Sequence, residues 1–313
     1  MNPASLLSHM SASSDHTYLP GSGLQAVIDL ALELGQPLLV TGEPGTGKTQ
    51  LAYHVARQQG LERPLVFNVK TDSQARDLFY RYDAIRHYRD SARDEEGLSA
   101  MSYVTFEALG KAILQAGAKQ SVVLIDEIDK APRDFANDLL YEFDELAFQV
   151  KEASAEETKA HVGPDTLVDE QGFIQLPPAA PKPILILTSN SEKNLPDAFL
   201  RRVLYHHIEF PERDRLQEII DANAPADAQL DQKLVLAAIA HFEDIREHKR
   251  LRKRPATAEL LAWVHVLQRR KLDLSAALKA SGEKALKEEI LNTYALLAKN
   301  KEDLDTLKRD LGL

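Results

Sequence analysis

A glycine-rich stretch of eight residues constrains this chain more than any other part of its sequence. Residues 42–49 read GEPGTGKT, which fits the pattern G-x-x-x-x-G-K-[ST]. An apolar run, PLLVTG, leads into the stretch, and a segment with helical spacing follows it. Glycines let backbone N–H groups turn inward on an anion, and the next helix points its positive end at the same place. The stretch therefore predicts a phosphate-binding loop between a buried strand and a helix.

The spacing within this loop assigns roles to its residues. Lys48 is expected to reach the β- and γ-phosphates of a nucleotide, and the Thr49 hydroxyl is expected to bind Mg²⁺. We therefore predict ATP and Mg²⁺ as cofactors. The other residues of this region predicted to contact the nucleotide are Gly42, Glu43, Pro44, Gly45, Thr46, Gly47 and Gln50.

A second motif, VVLIDE at residues 122–127, places two carboxylates after an apolar run. The run predicts a buried strand with Asp126 and Glu127 at its carboxyl end. Asp126 is expected to hold Mg²⁺, and Glu127 is expected to be the general base that activates the attacking water. A strand that ends in a capping acid is the alternative, but the phosphate loop favours the catalytic interpretation. A kinase needs no such base beside its metal-binding aspartate, whereas a hydrolase does.

Two later segments predict further catalytic groups. ILILTSN at 184–190 predicts another buried strand, and Asn190 at its end is expected to position the water or contact the γ-phosphate. Arg201 and Arg202 lie just before the last predicted strand, and arginine suits the charge that develops on a γ-phosphate. The sequence leaves open which of the two acts, and an exposed basic pair is the alternative.

The order of predicted elements divides the chain near residue 211. Residues 1–17 are rich in serine and predict a flexible tail. Strands and helices alternate over 18–210, which predicts an α/β domain with a parallel sheet between layers of helices. Within it, residues 73–92 predict one or two amphipathic helices. Residues 211–313 have helical spacing throughout and predict an all-helical domain. Its predicted helices cover residues 213–223, 232–248, 257–270, 275–298 and 300–311.

Composition narrows the functional classes. The net charge of −10 argues against a protein that coats nucleic acid. The absence of cysteine excludes disulfides, thiolate metal ligands and a cysteine nucleophile, and it fits a cytoplasmic location. The N-terminus lacks a secretory signal pattern, and no apolar run approaches the roughly 20 residues of a membrane helix. We therefore expect a cytoplasmic protein without membrane association.

Taken in this order, the motifs resemble those of the AAA+ ATPases. GEPGTGKT corresponds to the Walker A motif of that family and VVLIDE to its Walker B motif. Asn190 corresponds to sensor 1 and Arg202 to the arginine finger, while the helical region after Pro211 corresponds to the lid. Within AAA+, the stretches DEIDKAPRDFANDLLYEFDELAF and LRRVLYHHIEFP are similar to those of the MoxR group.

This resemblance implies an activity and partners. It implies ATP hydrolysis by a homo-oligomeric ring, usually a hexamer, in which Arg202 of one subunit reaches the ATP of its neighbour. MoxR relatives remodel or activate a client or adaptor protein, often one with a von Willebrand A domain. A DNA-directed AAA+ motor or loader is the alternative. The charge of −10 disfavours it, and the basic run HKRLRKRP at 248–255 favours it weakly.

The chain departs from the family pattern at the second sensor. The residue that best matches the family's arginine is Ala258, so Arg254 or Lys253 is expected to supply the charge from the basic run. Arg254 is accordingly predicted to bind the nucleotide, and a solvated basic face is the alternative. Residues 151–182, where MoxR-like proteins carry an insertion, are expected to line the pore of a ring or to form a surface loop.

Overall fold

The chain forms two compact units. The computed structural model describes residues 17–92, 99–164, 166–191, 195–224, 230–279 and 283–310. The α/β unit comprises Pro20–Gly42 and Lys48–Ile208, and the helical unit comprises the described residues of Met1–Leu19, Glu43–Gly47 and Glu209–Leu313. The tail predicted at residues 1–17 lies, except for Thr17, outside the described residues.

Within the described ranges, the α/β unit contains ten strands. They are β1 (Leu38–Gly42), β2 (Leu65–Asn68), β3 (Tyr80–Tyr82), β4 (Val104–Phe106), β5 (Val122–Asp126), β6 (Ala147–Gln149), β7 (Leu167–Val168), β8 (Phe173–Gln175), β9 (Ile184–Ser189) and β10 (Leu204–Ile208). Five of them form a parallel sheet in the order β10-β1-β9-β5-β2. The three central strands are almost wholly buried, as expected for a parallel sheet that is covered on both faces. The predicted fold class is therefore confirmed.

Helices accompany the strands of this unit. They are α1 (Ser22–Leu34), α2 (Lys48–Gln58), α3 (Ala84–Ser91), α4 (Ala108–Gln115), α5 (Arg133–Glu145), α6 (Ala155–Val162) and α7 (Asp197–Leu200). The core combines buried side chains of the central strands with aromatic rings, and Phe79 stacks on Phe148 with their ring centroids 4.9 Å apart.

The helical prediction for residues 73–92 is only partly right. A short 3₁₀ turn at Ala75–Leu78 leads into β3, and only α3 is an α-helix. β3 pairs antiparallel with β4, so that Tyr80 faces Phe106 across the ladder. This pairing joins distant parts of the chain, and local periodicity does not reveal it.

Residues 151–182 contain more regular structure than a surface loop requires. α6 begins with a capping box, in which Ser154 accepts from the Glu157 N–H and the Glu157 carboxylate accepts from the Ser154 N–H. That backbone donor, helped by the hydroxyls of Ser99 and Ser154, lowers the pKa of Glu157 to about 2. β8 pairs with both β6 and β7 in a small antiparallel sheet. The pore-lining role stays a prediction.

The helical unit contains six α-helices within the described residues. They are α8 (Arg213–Ala222), α9 (Gln232–Glu247), α10 (Thr257–Arg269), α11 (Leu274–Ala277), α12 (Lys284–Thr293) and α13 (Lys301–Asp310). The single helix predicted over 275–298 is wrong. α11 ends at Ala277, and the extended backbone of Glu283 precedes α12, so one helix cannot run through the segment.

Two hydrogen-bonded pairs of polar side chains lie inside the core of the helical unit. The Trp263 indole donates to Thr293 Oγ1 at 2.7 Å, and His241 Nε2 bonds to the Tyr294 hydroxyl. Tyr294 and Trp263 are fully buried. These four polar atoms therefore have partners, as buried polar groups require. Among the described residues, no helix is long and apolar enough to cross a membrane.

Candidate nucleotide-binding site

The predicted site residues follow the carboxyl ends of neighbouring parallel strands. β1 ends at Gly42, β5 at Asp126 and β9 at Ser189, and these three strands are adjacent in the sheet. The carboxyl ends of parallel strands meet at one edge, which is where open α/β sheets bind their ligands. Lys48, Glu127 and Asn190 therefore lie at the same edge.

The phosphate loop has the backbone that its glycines allow. Gly45 and Gly47 have φ angles of 80° and 88°, a region that other residues enter only with strain. Thr46 closes the turn, because its N–H and its hydroxyl both donate to the Glu43 carbonyl, at 3.3 and 2.9 Å. A loop of this shape before a helix fits the phosphates of a nucleotide.

Lys48 and Asn190 are in direct contact. The Lys48 side chain is buried, and its ammonium donates to the Gly42 carbonyl at 2.8 Å and to Asn190 Oδ1 at 3.1 Å. The Asn190 N–H in turn donates to Asp129 Oδ1 at 3.2 Å. The structure thus brings together the cation and the amide that the sequence placed 142 positions apart.

Thr49 and Asp126 form the predicted metal pair. The Thr49 hydroxyl lies 3.1 and 3.2 Å from the two carboxylate oxygens of Asp126. A hydroxyl and a carboxylate are ligands that suit Mg²⁺, which takes few protein ligands and completes its shell with water and phosphate oxygens. No cluster of three or more histidine, aspartate or glutamate side chains suited to a metal occurs in the described ranges.

Thr188 in β9 connects Asp126, the last residue of β5, with Glu127, which directly follows that strand. It is fully buried, its hydroxyl donates to Asp126 Oδ1 at 2.5 Å, and it accepts the Glu127 N–H at 2.9 Å. One hydroxyl thereby fixes both the predicted metal ligand and the backbone of the predicted base. Sequence reasoning missed this residue, although its position in ILILTSN, two residues before Asn190, carried the signal.

Glu127 has an unusual backbone for a residue with a side chain. Its φ and ψ are 61° and 50°, in the left-handed region. Such a conformation costs of the order of 1–3 kcal/mol and tends to occur at functional sites. Its carboxylate pairs with Lys130, and both side chains are about half exposed. The base predicted from the sequence is thus held at a fixed point of the strand edge.

The remaining predicted residues lie at the surface. Arg202 Nη1 donates to Asp144 Oδ2 at 3.0 Å, and both side chains are more than half exposed. Arg201 caps the short helix α7 and is also exposed. Gln50, in the first turn of α2, is partly exposed. The finger role of Arg202, with Arg201 as the alternative, therefore stays a prediction.

The role of Arg254 as the second sensor stays a prediction. Arg254 is exposed, and the backbone of the basic run is held by Asp303, which accepts the N–H groups of Arg252 and Lys253. Within the helical unit, the buried arginine that does contact the phosphate loop is Arg246, whose Nη2 lies 2.7 Å from Glu43 Oε2. Nothing in the local pattern of α9 singles it out.

Comparison with known proteins identifies a family for the segment that contains the strand edge. Residues 37–203 match the family model described as AAA domain (dynein-related subfamily). No curated protein sequence matches the chain. Among solved structures, it is similar to the Thermotoga maritima RuvB Holliday junction branch migration motor, with 15% identity, a TM-score of 0.45 and coverage of 94% of this chain and 77% of that one.

Two single-substitution variants of the same RuvB are similar to about the same degree. A threonine-to-valine variant is 15% identical with a TM-score of 0.44, and the match covers 92% of this chain and 74% of the variant. An alanine-to-serine variant is 16% identical with a TM-score of 0.44, and the match covers 94% and 78%. Because the family model spans more than half of the sequence, the chain belongs to the AAA domain family, in its dynein-related subfamily.

Proposed function

We propose that this protein is an Mg²⁺-dependent ATP hydrolase of the MoxR type, which assembles into a ring and remodels or activates a partner protein. The observation that carries the catalytic part is the contact set at the strand edge: Lys48 with Asn190, and Thr49 with Asp126. These pairs join the last two residues of the phosphate-binding motif to two other strand ends, as hydrolysis of a bound nucleoside triphosphate requires.

Each of these residues has its own role in the proposed hydrolysis. Lys48 binds the terminal phosphates, and Thr49 and Asp126 hold Mg²⁺, which supplies neutralisation of the phosphate charge. Glu127 accepts a proton from the attacking water, and Asn190 orients that water. Thr188 keeps the Glu127 backbone in place through its hydroxyl. An adjacent base of this kind favours a hydrolase over a kinase.

The assembly part of the proposal depends on Arg202. Its partner Asp144 is exposed, and an ion pair between exposed side chains contributes about 0–1 kcal/mol. A bond of that strength is readily exchanged for a phosphate of a neighbouring subunit. We therefore propose Arg202 as the finger of a hexameric ring, with Arg201 as the second candidate.

The client is proposed to be a protein, such as one with a von Willebrand A domain, rather than DNA. The net charge of −10 supports this choice, because a duplex-binding motor gains affinity from positive charge. The DNA-directed alternative has support only from the basic run, whose Arg252 is already paired with Glu302. We expect the protein to act in the cytoplasm.

Steady-state ATPase assays test the catalytic proposal. Glu127→Gln should abolish phosphate release while ATP binding persists, and Lys48→Ala should abolish binding. Glu170→Gln is the matched control, because it makes the same change at an exposed position in the small sheet region. A Glu127→Gln variant that turns over ATP at the wild-type rate would refute the assignment of the base.

The partner class is tested separately. Glu127→Gln, loaded with ATP, is used to capture clients, and the wild-type ATPase is measured with and without single- and double-stranded DNA. Strong stimulation by DNA would replace the protein-remodelling function with the DNA-directed one. Arg202→Ala should lower the turnover of the assembled form, and an unchanged rate would remove Arg202 as the finger.

A further inference from the structure

Arg246 has an environment that is uncommon for an arginine in a helix. It lies in the last turn of α9, and its side chain is only 10% exposed. Burying a guanidinium is costly unless its donors are paired. Arg246 meets this condition through two hydrogen bonds, and an aromatic ring also packs on its guanidinium. Nη2 donates to Glu43, Nη1 donates to the Pro255 carbonyl, and the guanidinium lies 3.4 Å from the centroid of the Phe210 ring.

Glu43, the carboxylate partner, is the second residue of the phosphate loop. Its side chain accepts from Arg246, while its carbonyl accepts from the N–H and the hydroxyl of Thr46. The carboxylate of Glu43 therefore makes the contact with α9, and its carbonyl closes the turn of the loop. The bond to α9 and the turn of the loop therefore meet in one residue.

The second bond of Arg246 acts on another point of the same loop. Pro255, whose carbonyl accepts from Arg246, is followed by Ala256. A Cβ added to Gly45 would lie 2.5 Å from the Ala256 Cβ, so the two residues are in close contact. One planar guanidinium thus fixes Glu43 directly and places Ala256 against Gly45. Only arginine supplies two donors in such a fixed fork.

We propose that Arg246 is a positioning residue for nucleotide binding, which holds the phosphate loop in shape through Glu43 and Pro255. Its guanidinium donates to Glu43 of the loop itself, whereas the arginine expected near position 258 would act on the nucleotide. This inference rests on the proposed function, because it assumes that the loop binds ATP. It predicts an effect on ATP affinity that exceeds any general effect on folding.

The experiment measures ATP affinity by calorimetry with Mg²⁺, in the Glu127→Gln background that stops turnover. Arg246→Met should raise the dissociation constant at least about tenfold, since both loop contacts are lost. Arg246→Lys keeps the charge but not the fork, and should lie between Arg246→Met and the parent. Combining Glu43→Gln with Arg246→Met should weaken binding no further than Arg246→Met alone, because the two residues act through one bond.

Arg213→Met is the matched control. It breaks another guanidinium–carboxylate pair of the helical unit, that of Arg213 with Glu243, which is exposed and does not involve the loop. Its dissociation constant should stay within twofold of the parent. In the active background, Arg246→Lys and Glu43→Gln should raise KM with little change in kcat, as expected when only binding is lost.

Two results separate failure of the inference from failure of the proposed function. If the parent binds ATP, but Glu43→Gln and Arg246→Lys bind it within twofold of the parent and only unfold at lower temperature, the pair is purely structural and the inference is overturned. If the proposed function itself is wrong, the wild-type protein will neither bind nor hydrolyse ATP, and the inference then fails with it. If Arg246→Met does not fold, Glu43→Gln still tests the inference, because it changes the other partner of the same bond.

Discussion

Replacing Thr188 with valine removes a single hydroxyl from the centre of the site. Valine has nearly the same shape, so the β9 strand and its neighbours keep their packing. The hydroxyl is lost to two partners at once, the Asp126 carboxylate and the Glu127 N–H. The perturbation is therefore confined to hydrogen bonding at a fully buried position.

The expected loss of stability follows from these two bonds. A hydrogen bond to a charged group contributes about 1.5–3 kcal/mol, and leaving a buried N–H unsatisfied costs about 1–3 kcal/mol. The added methyl group of valine returns about 1 kcal/mol of hydrophobic stabilisation. Together these values predict that the free energy of unfolding falls by about 1.5–5 kcal/mol, as measured by urea denaturation. We also expect kcat to fall at least about tenfold, because Glu127 loses the bond that places it.

Thr158→Val is the matched control. Thr158 is almost equally buried, but its hydroxyl donates to the Ser154 carbonyl, which already accepts from the Thr158 N–H. This variant should lose less than about 1 kcal/mol and keep its turnover. If both variants lost the same stability, or if Thr188→Val hydrolysed ATP at the wild-type rate, the role assigned to Thr188 would be refuted.

Two further perturbations test the helical unit and the loop. Burial lowers the pKa of His241 below its usual 6.5, so the stability it contributes is complete above pH 6.5 and is lost as the pH falls through the folded pKa. His241→Gln should therefore reduce the dependence of the unfolding free energy on pH just below 6.5, and an unchanged slope would contradict this. Gly47→Ala should abolish ATP binding and destabilise more than Gly35→Ala, measured by calorimetry and urea denaturation. Both glycines have positive φ, but a Cβ on Gly47 would lie 2.7 Å from the Tyr18 ring, whereas one on Gly35 meets no atom within 4 Å. Equal losses would exclude this contact as the cause.

The sequence predicted the carboxyl edge of the sheet well, because the pattern that marks each strand and its end is local. Each of the three central strands is marked by an apolar run, and each run ends in small or polar residues. Parallel pairing then brings these ends together irrespective of the segments that connect the strands. Asp126 and Asn190 could be placed from this reasoning alone.

What the sequence could not predict depends on contacts between distant segments. The pairing of β3 with β4 overrides the helical periodicity of residues 73–92. Nucleotide binding by Arg254 stays a prediction, whereas the contact of Arg246 with the loop depends on a partner 203 positions away in the chain. The sequence does not distinguish a buried arginine from an exposed one, because burial depends on partners elsewhere in the chain.

The left-handed backbone at Glu127 has a consequence for attempts to improve this protein. Glycine adopts that conformation without strain, so Glu127→Gly would relieve the backbone at the position. A library selected for heat resistance alone would thus favour glycine there, and its winners would lack the carboxylate proposed to activate water. Resistance to heat and turnover are opposed at this one residue, so a selection scheme must score both.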